Sequence, residues 1–286
     1  MPEWPIIDSH VHLIDLDQFS YAWLARRPEI ERSFGPADLT RLKGDVAIDR
    51  IVFVEACPDA HHAEGEAAFA QKAADDGAPI AGIVAQLDLR RDDVAARLDS
   101  LARLPALRGV RYLIEGAVDP TFCLEPAFLD GLRRVGQAGL SFDICVKHWA
   151  LPIATEMARR VPETQFVLDH IGKPGIRLGL RDPWWTAISD IAQLPNVVCK
   201  MSGVLTEGHP GQATFEAART YIDRTIEVFG FDRLMYGSDW PVSEVTHRYA
   251  DWVAMLDHHL AACSLDERRA FWRDTANRVY RLESGQ

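Results

Sequence analysis

Apolar residues gather along this chain in eight short runs, set apart by longer stretches of mixed polarity. The runs are Ile6–Leu13, Arg50–Ala56, Pro79–Leu87, Leu107–Ile114, Leu140–Val146, Thr164–His170, Asn196–Ser202 and Arg233–Asp239, and Val, Ile, Leu and Phe dominate them. Near-continuous hydrophobicity over so short a span predicts parallel strands buried on both faces. The stretches between read as amphipathic helices. Ala63–Asp76 sets Ala67, Phe69, Ala70 and Ala73 in a stripe between charges, and Glu125–Ala138 is followed by Gly139. Leu151–Val161 stops at Pro162, Pro183–Leu194 opens on proline, Thr214–Phe229 ends at Gly230, and Tyr249–Ala262 carries Trp252, Leu256 and Leu260. Glycine after a helix and proline in its first turn are ordinary boundary chemistry. A last helix is expected over Leu265–Leu282.

Strand starts recur every ~32 residues, the length of one strand-helix unit. Eight such units predict an α/β fold, a (β/α)8 TIM barrel formed as a single domain over residues 1–286. An open dinucleotide-binding sheet loses its main support, because no Gly-x-Gly-x-x-Gly follows any run. The segment after the first run is long and contains Tyr21, Trp23 and Leu24, too apolar for a free linker; it is expected to pack over the barrel mouth.

Composition narrows the function classes. The 286 residues are 48% hydrophobic and 26% charged, with a formal net charge of −11. That balance argues against nucleic acid and anionic membrane surfaces as partners, though a pocket can still be locally basic. The five cysteines (57, 123, 145, 199 and 263) show no Cys-x-x-Cys pair, so neither a disulfide framework nor a cysteine zinc site is expected; Cys145 and Cys199 read as buried thiols. The segment MPEWPIID has no secretory signal character, and no apolar run is long enough for a membrane helix, so a cytoplasmic location is expected. Trp184 and Trp185 hint at a homo-oligomer contact, or else pack under a loop.

The candidate chemistry sits at the ends of the runs. In Asp8-Ser9-His10-Val11-His12 the two histidines share a strand face, about 6.6 Å apart along the chain, and their nitrogens can converge on one ion. The sixth run ends in His170 and the eighth in Asp239. Each alone could cap the following helix. Together they form a set of three imidazoles and a carboxylate at the face where barrel enzymes keep their active sites, and first and eighth strands are neighbours in a closed barrel. Such donors suit Zn²⁺ or a similar ion. Arg111, Lys173 and Lys200 also fall near run ends. Lysine on a buried strand needs a carboxylate partner or an anionic ligand, and a guanidinium can grip a carboxylate with two hydrogen bonds. Trp23 and Trp240 are candidates for an apolar wall against substrate, or for plain packing.

At this point the sequence resembles the amidohydrolase superfamily, in the branch of metal-dependent barrel hydrolases that holds the sugar lactonases and 2-pyrone-4,6-dicarboxylate lactonase. IDSHVHL, LRGVRYLI (107–114), VLDHIGKP (167–174), NVVCKMSG (196–203) and RLMYGSDWPV (233–242) carry the resemblance over nearly the whole chain. It implies hydrolysis of a sugar-acid lactone, most like the L-fuconolactonase and L-rhamnonolactonase branch. Asp239 would take a proton from water and return it to the ring oxygen. His10 and His12 would hold at most one divalent metal, zinc by preference, which some lactonases of the branch do without. His170 would be a further ligand or a group beside the water. Arg111, His148, Lys173, Lys200, Trp23 and Trp240 would contact substrate. Relatives often place a histidine at the end of the fifth strand; here Lys147 and His148 compete for that place, and Glu55 stands where relatives often carry glutamine. The rival implied by related barrels is a metal-dependent decarboxylase of an aromatic or unsaturated acid.

Overall fold

In the computed structural model, which describes residues 1–208 and 214–282, eight parallel strands pair in sequence order. They are β1 (Ile6–Val11), β2 (Ile48–Val54), β3 (Ile80–Gln86), β4 (Leu107–Arg111), β5 (Ser141–Ile144), β6 (Gln165–Leu168), β7 (Val197–Met201) and β8 (Leu234–Tyr236). The ring closes beyond the end of β8, where Val11 bridges Trp240 and the Asp239 N–H donates to His10 O at 2.9 Å. The two edges of the sheet are thereby joined at the mouth, which nearly closes the barrel. The expected (β/α)8 barrel is the observed fold.

Outside the strands lie α1 (Pro36–Leu42), α2 (Ala63–Asp75), α3 (Val94–Leu101), α4 (Pro126–Gln137), α5 (Leu151–Arg160), α6 (Trp184–Ala192), α7 (Phe215–Phe229) and α8 (Tyr249–His259). The expected last helix is broken into α9 (Leu265–Arg269), a π segment (Ala270–Asp274) and α10 (Thr275–Tyr280). Strand alternation sorts the apolar residues. Phe53, Ile83, Phe142, Ile144, Phe166 and Leu168 belong to the large core shared with the helices. In α4 the stripe Phe128, Leu129, Leu132 and Val135 is buried, the helical spacing expected of a face turned to a sheet. Truncating one such aromatic costs about 3–5 kcal/mol.

The alternate positions, Val52, Val84, Val167, Val198 and Met235, form a second cluster with Ala276, Val279, Tyr280 and Leu282. The C-terminal segment therefore plugs the amino end of the barrel. Two residues further along the same strand faces the character changes: Val167 is followed by Asp169 and Val198 by Lys200, both fully buried. An apolar floor thus supports a charged layer, and the site stands on that layer. Trp184 does not mark a subunit contact. It is fully buried, with its indole N–H donating to Ile171 O at 2.7 Å, while Trp185 is partly buried and packs on the main core. Among the described residues no helix is long and apolar enough to cross a membrane.

Candidate active site

The carboxyl ends of the strands open into a cavity of about 740 Å³ whose lining includes His12, His170, Asp239, Arg111, Lys173 and Trp23. Trp23, Arg26 and Arg27 come from the long segment after β1, which covers the mouth as expected. The indole of Trp23 is fixed by donation to Ala56 O at 2.8 Å.

His10 and His12 face each other, Nε2 to Nε2, at 3.2 Å. Asp239 Oδ1 lies 3.3 Å from His12 Nε2 and 3.7 Å from His10 Nε2. His12 Nδ1 is 2.8 Å from Val54 O. A carbonyl only accepts, so the His12 proton sits on Nδ1 and Nε2 presents a lone pair. His10 Nδ1 has both an acceptor and a donor within 3.2 Å, Asp169 Oδ1 and Lys200 Nζ. With its proton on Nε2, His10 donates to His12. With the proton on Nδ1, two lone pairs and a carboxylate oxygen face one point, which calls for a cation. Burial holds both His10 and His170 below the usual imidazole range, most strongly His10. Burial would raise the Asp239 carboxyl, but His170, His12 and His10 outweigh it and keep it well below the usual range.

The donor set fits a metal. Ligands ~2.1 Å from a tetrahedral zinc stand about 3.4 Å from one another, close to the 3.2 and 3.3 Å separations found here. His10, His170 and Asp239 offer donor atoms all within 4.8 Å of one another. Gly203, at φ +57°, keeps the space open, since a Cβ there would stand 2.5 Å from Asp239 Oδ2 and 2.8 Å from His170 Nδ1. Ser202 Oγ, 2.9 Å from His170 Nδ1, orients that ring from β7's end.

A left-handed turn explains how β6 contributes so much. His170 (φ 53°), Ile171 (φ 49°), Gly172 (φ 70°) and Lys173 (φ 45°) follow in succession. Such a conformation costs about 1–2 kcal/mol for each non-glycine residue, the kind of strain that persists at functional sites. Because the strand ends at Leu168, adjacent Asp169 and His170 no longer have to point to opposite faces.

Behind His10 lies the charged layer. Lys200 Nζ is 2.5 Å from Asp143 Oδ2 and 3.1 Å from Asp169 Oδ1. Tyr280 OH, from the C-terminal plug, donates to Asp143 Oδ2 at 2.7 Å. Arg111 donates to Glu55 Oε1 at 2.6 Å, to Glu55 O at 2.6 Å and to Asp169 Oδ2 at 3.0 Å, and its Nη1 is 3.5 Å from His10 Nε2. Burial would raise Asp169, yet Lys200, His10 and Arg111 hold it well below the usual range.

Several expectations are revised by these positions. Lys200 is fully buried with two carboxylate partners and does not line the cavity, so it needs no anionic substrate. Trp240 is likewise buried, edge-on to Phe34, and is no substrate wall. His148 is not among the lining residues; its Nδ1 lies 3.2 Å from Lys173 O. At the end of β5 it is Cys145 that reaches the cavity, while Lys147 pairs with Glu207 at 2.9 Å. Glu55 is bound to Arg111 and belongs to no ligand set among the described residues. Arg111, Lys173 and Trp23 do line the cavity. Sequence reasoning passed over Asp143, Asp169, Glu115, Ser202 and Gly203. An isolated acidic residue within a buried strand such as Phe142-Asp143-Ile144 is the signal that would have found the first.

Histidines at the ends of β1 and β6 and an aspartate beyond β8, gathered at one point of a parallel barrel, define a barrel hydrolase. Residues 7–282 match the family model described as Amidohydrolase, and the chain belongs to that family. It is 31% identical over 284 residues to an L-fucono-1,5-lactonase of Burkholderia ambifaria, covering 97% of this chain and 96% of the relative. A second L-fucono-1,5-lactonase, of Burkholderia multivorans, is 32% identical over 289 residues and is covered to 96%, as is this chain. The solved structure of an amidohydrolase from Burkholderia multivorans with bound zinc superposes with a TM-score of 0.89 at 29% identity, over 98% of this chain and 100% of that one.

Proposed function

We propose that the protein is a lactonase, one barrel domain that opens a sugar-acid lactone or a related polar lactone with water. The observation that carries this reading is Asp239. It is a buried carboxylate beside the imidazoles of His10 and His12, facing the cavity at the barrel mouth. The similarity to two enzymes named L-fucono-1,5-lactonase supports the substrate class.

In the reaction Asp239 accepts a proton from a water attacking the lactone carbonyl. The tetrahedral centre then collapses, the ring C–O bond breaks, and Asp239 returns the proton to the departing oxygen. A hydroxy acid results, and its ionisation releases a proton to solution. His170, steered by Ser202, orients the water at Asp239. Arg111, held by Glu55 and Asp169, presents a fixed positive edge where negative charge develops on the carbonyl oxygen. His10, His12, Asp239 and His170 are the residues that would hold one zinc or similar ion. Bound there, the ion would supply Lewis-acid polarisation of the water or carbonyl.

The test is acid release, followed with a pH indicator on a panel of aldonolactones and unsaturated lactones, with and without chelator. Opening of a sugar lactone is the expected result, and the chelator arm reports whether the ion takes part. Silence across the panel together with CO₂ release from an aromatic or unsaturated acid would replace the lactonase by the decarboxylase.

A further inference from the structure

Four charged side chains that ester cleavage does not use meet at the barrel mouth, one from each segment following β4, β5, β6 and β7. Lys147 Nζ lies 3.1 Å from Glu115 and 2.9 Å from Glu207. Lys173 Nζ bonds Glu115 and stands 4.0 Å from Glu207. Glu115 and Lys173 line the same cavity as His12, His170 and Asp239, whereas Lys147 and Glu207 do not. The two lining side chains are largely withdrawn from water, 23% and 17% exposed.

Two features separate this group from ordinary surface pairing. Lys173 ends the left-handed turn that begins at His170, and its N–H donates to His170 O at 2.9 Å. One strained segment therefore carries a reaction-site imidazole and this ammonium together, and fixes the distance between them. The second feature is charge balance. Two carboxylates and two ammoniums sum to zero, so this group offers strong acceptors and donors while adding no net charge of its own to the wall. A hydroxyl both donates and accepts, and it can bridge a carboxylate and an ammonium at once.

We propose that Glu115 and Lys173 are the specificity-determining pair of this site, gripping ring hydroxyls so that polyhydroxylated lactones are chosen over lactones without hydroxyls. The proposal rests on the lactonase reading and narrows its substrate class. Burial would raise Glu115, but Lys173 and Lys147 hold it down to about 2, so its acceptor charge persists at any working pH. A ring without hydroxyls leaves the pair bonded only within this group of four and forgoes the further charge-assisted bonds. Each such bond is worth roughly 10- to 100-fold in affinity.

The experiment compares kcat/KM for a 1,5-aldonolactone with that for δ-valerolactone, a ring of the same size lacking hydroxyls. Calorimetry with the corresponding lactams, which do not turn over, measures the same preference without chemistry. In Glu115→Gln and Lys173→Met the preference should fall roughly 10- to 100-fold by both measures. In Glu207→Gln, which alters the same network outside the cavity, it should stay within about threefold. If no lactone is opened, the lactonase reading fails, and the lactam comparison still decides the pair. Equal binding of both lactams by the wild type would overturn the proposal, as would variants that lose both rings in the same proportion.

Discussion

Replacing Lys200 with methionine should destabilise the fold strongly at alkaline pH and only weakly in mild acid. The ammonium serves three groups, Asp143 at 2.5 Å, Asp169 at 3.1 Å and His10 at 3.2 Å. Methionine keeps most of the apolar stem, so little cavity energy enters. What is lost is the partner of buried carboxylates, which costs about 3–5 kcal/mol when one side of a buried pair is removed. Asp169 still holds Arg111 at 3.0 Å and Asp143 still holds Tyr280 at 2.7 Å. The lower end, about 3 kcal/mol, therefore applies. Burial and the charge of Asp169 already raise Asp143 against the pull of Lys200, and its loss raises that carboxyl further. A carboxyl raised in the folded state leaves stability intact below its unfolded value and removes it as pH climbs through the folded value. Urea unfolding should thus give a deficit of about 3 kcal/mol near pH 8 that shrinks as the pH is lowered and Asp143 takes up a proton. Adding Asp143→Asn should recover most of the deficit at the higher pH. Equal deficits at high and low pH, or none at either, would refute the reasoning.

Other outcomes follow from the same geometry. Asp239→Asn should fold normally and lose roughly 1,000-fold in kcat/KM, measured by acid release, because the proton relay is gone. His10→Ala, purified with zinc in the medium, should hold far less than the about one zinc per chain expected of the wild type, read by atomic emission. Gly203→Ala puts a methyl 2.5 Å from Asp239 Oδ2 at a backbone φ of +57°; steady-state assays should show activity lost, and unfolding a deficit of about 1–3 kcal/mol. Glu115, at about 2 in the folded protein against an ordinary 4.5, stabilises the fold above its unfolded value and loses this as pH falls toward 2. Glu115→Gln should accordingly cost up to about 3 kcal/mol at pH 7, and the difference should close in acid when both proteins are titrated by circular dichroism.

The barrel was legible because strands buried on both faces leave an unbroken apolar signal and recur at unit spacing. That His10, His12, His170 and Asp239 come together was legible for a related reason: they stand at or near the carboxyl ends of apolar runs, where side chains leave the core for the mouth. Their neighbours were harder to read. Lys200 and Asp143 are charges inside strands, and whether such a charge meets a partner or a ligand depends on neighbours from distant strands. Trp240 stands beside Asp239 in sequence, yet the backbone at Asp239 (φ 60°) turns away from strand geometry and the indole enters the core. The left-handed turn at His170–Lys173 was equally hidden, since only Gly172 among its residues favours such backbone. That turn gives Lys173 its place beside Glu115, a pairing that no spacing along the chain announces.

The proposed reaction turns on activation of water by Asp239 against a lactone carbonyl. Turnover of an aldonolactone in ¹⁸O-enriched water, with mass analysis of the product, tests that claim. The wild type should place one labelled oxygen in the carboxylate of the ring-opened acid at each turnover, with no CO₂, and Asp239→Asn should form almost none of that product. Release of CO₂, or opening at wild-type rate by Asp239→Asn, would contradict it.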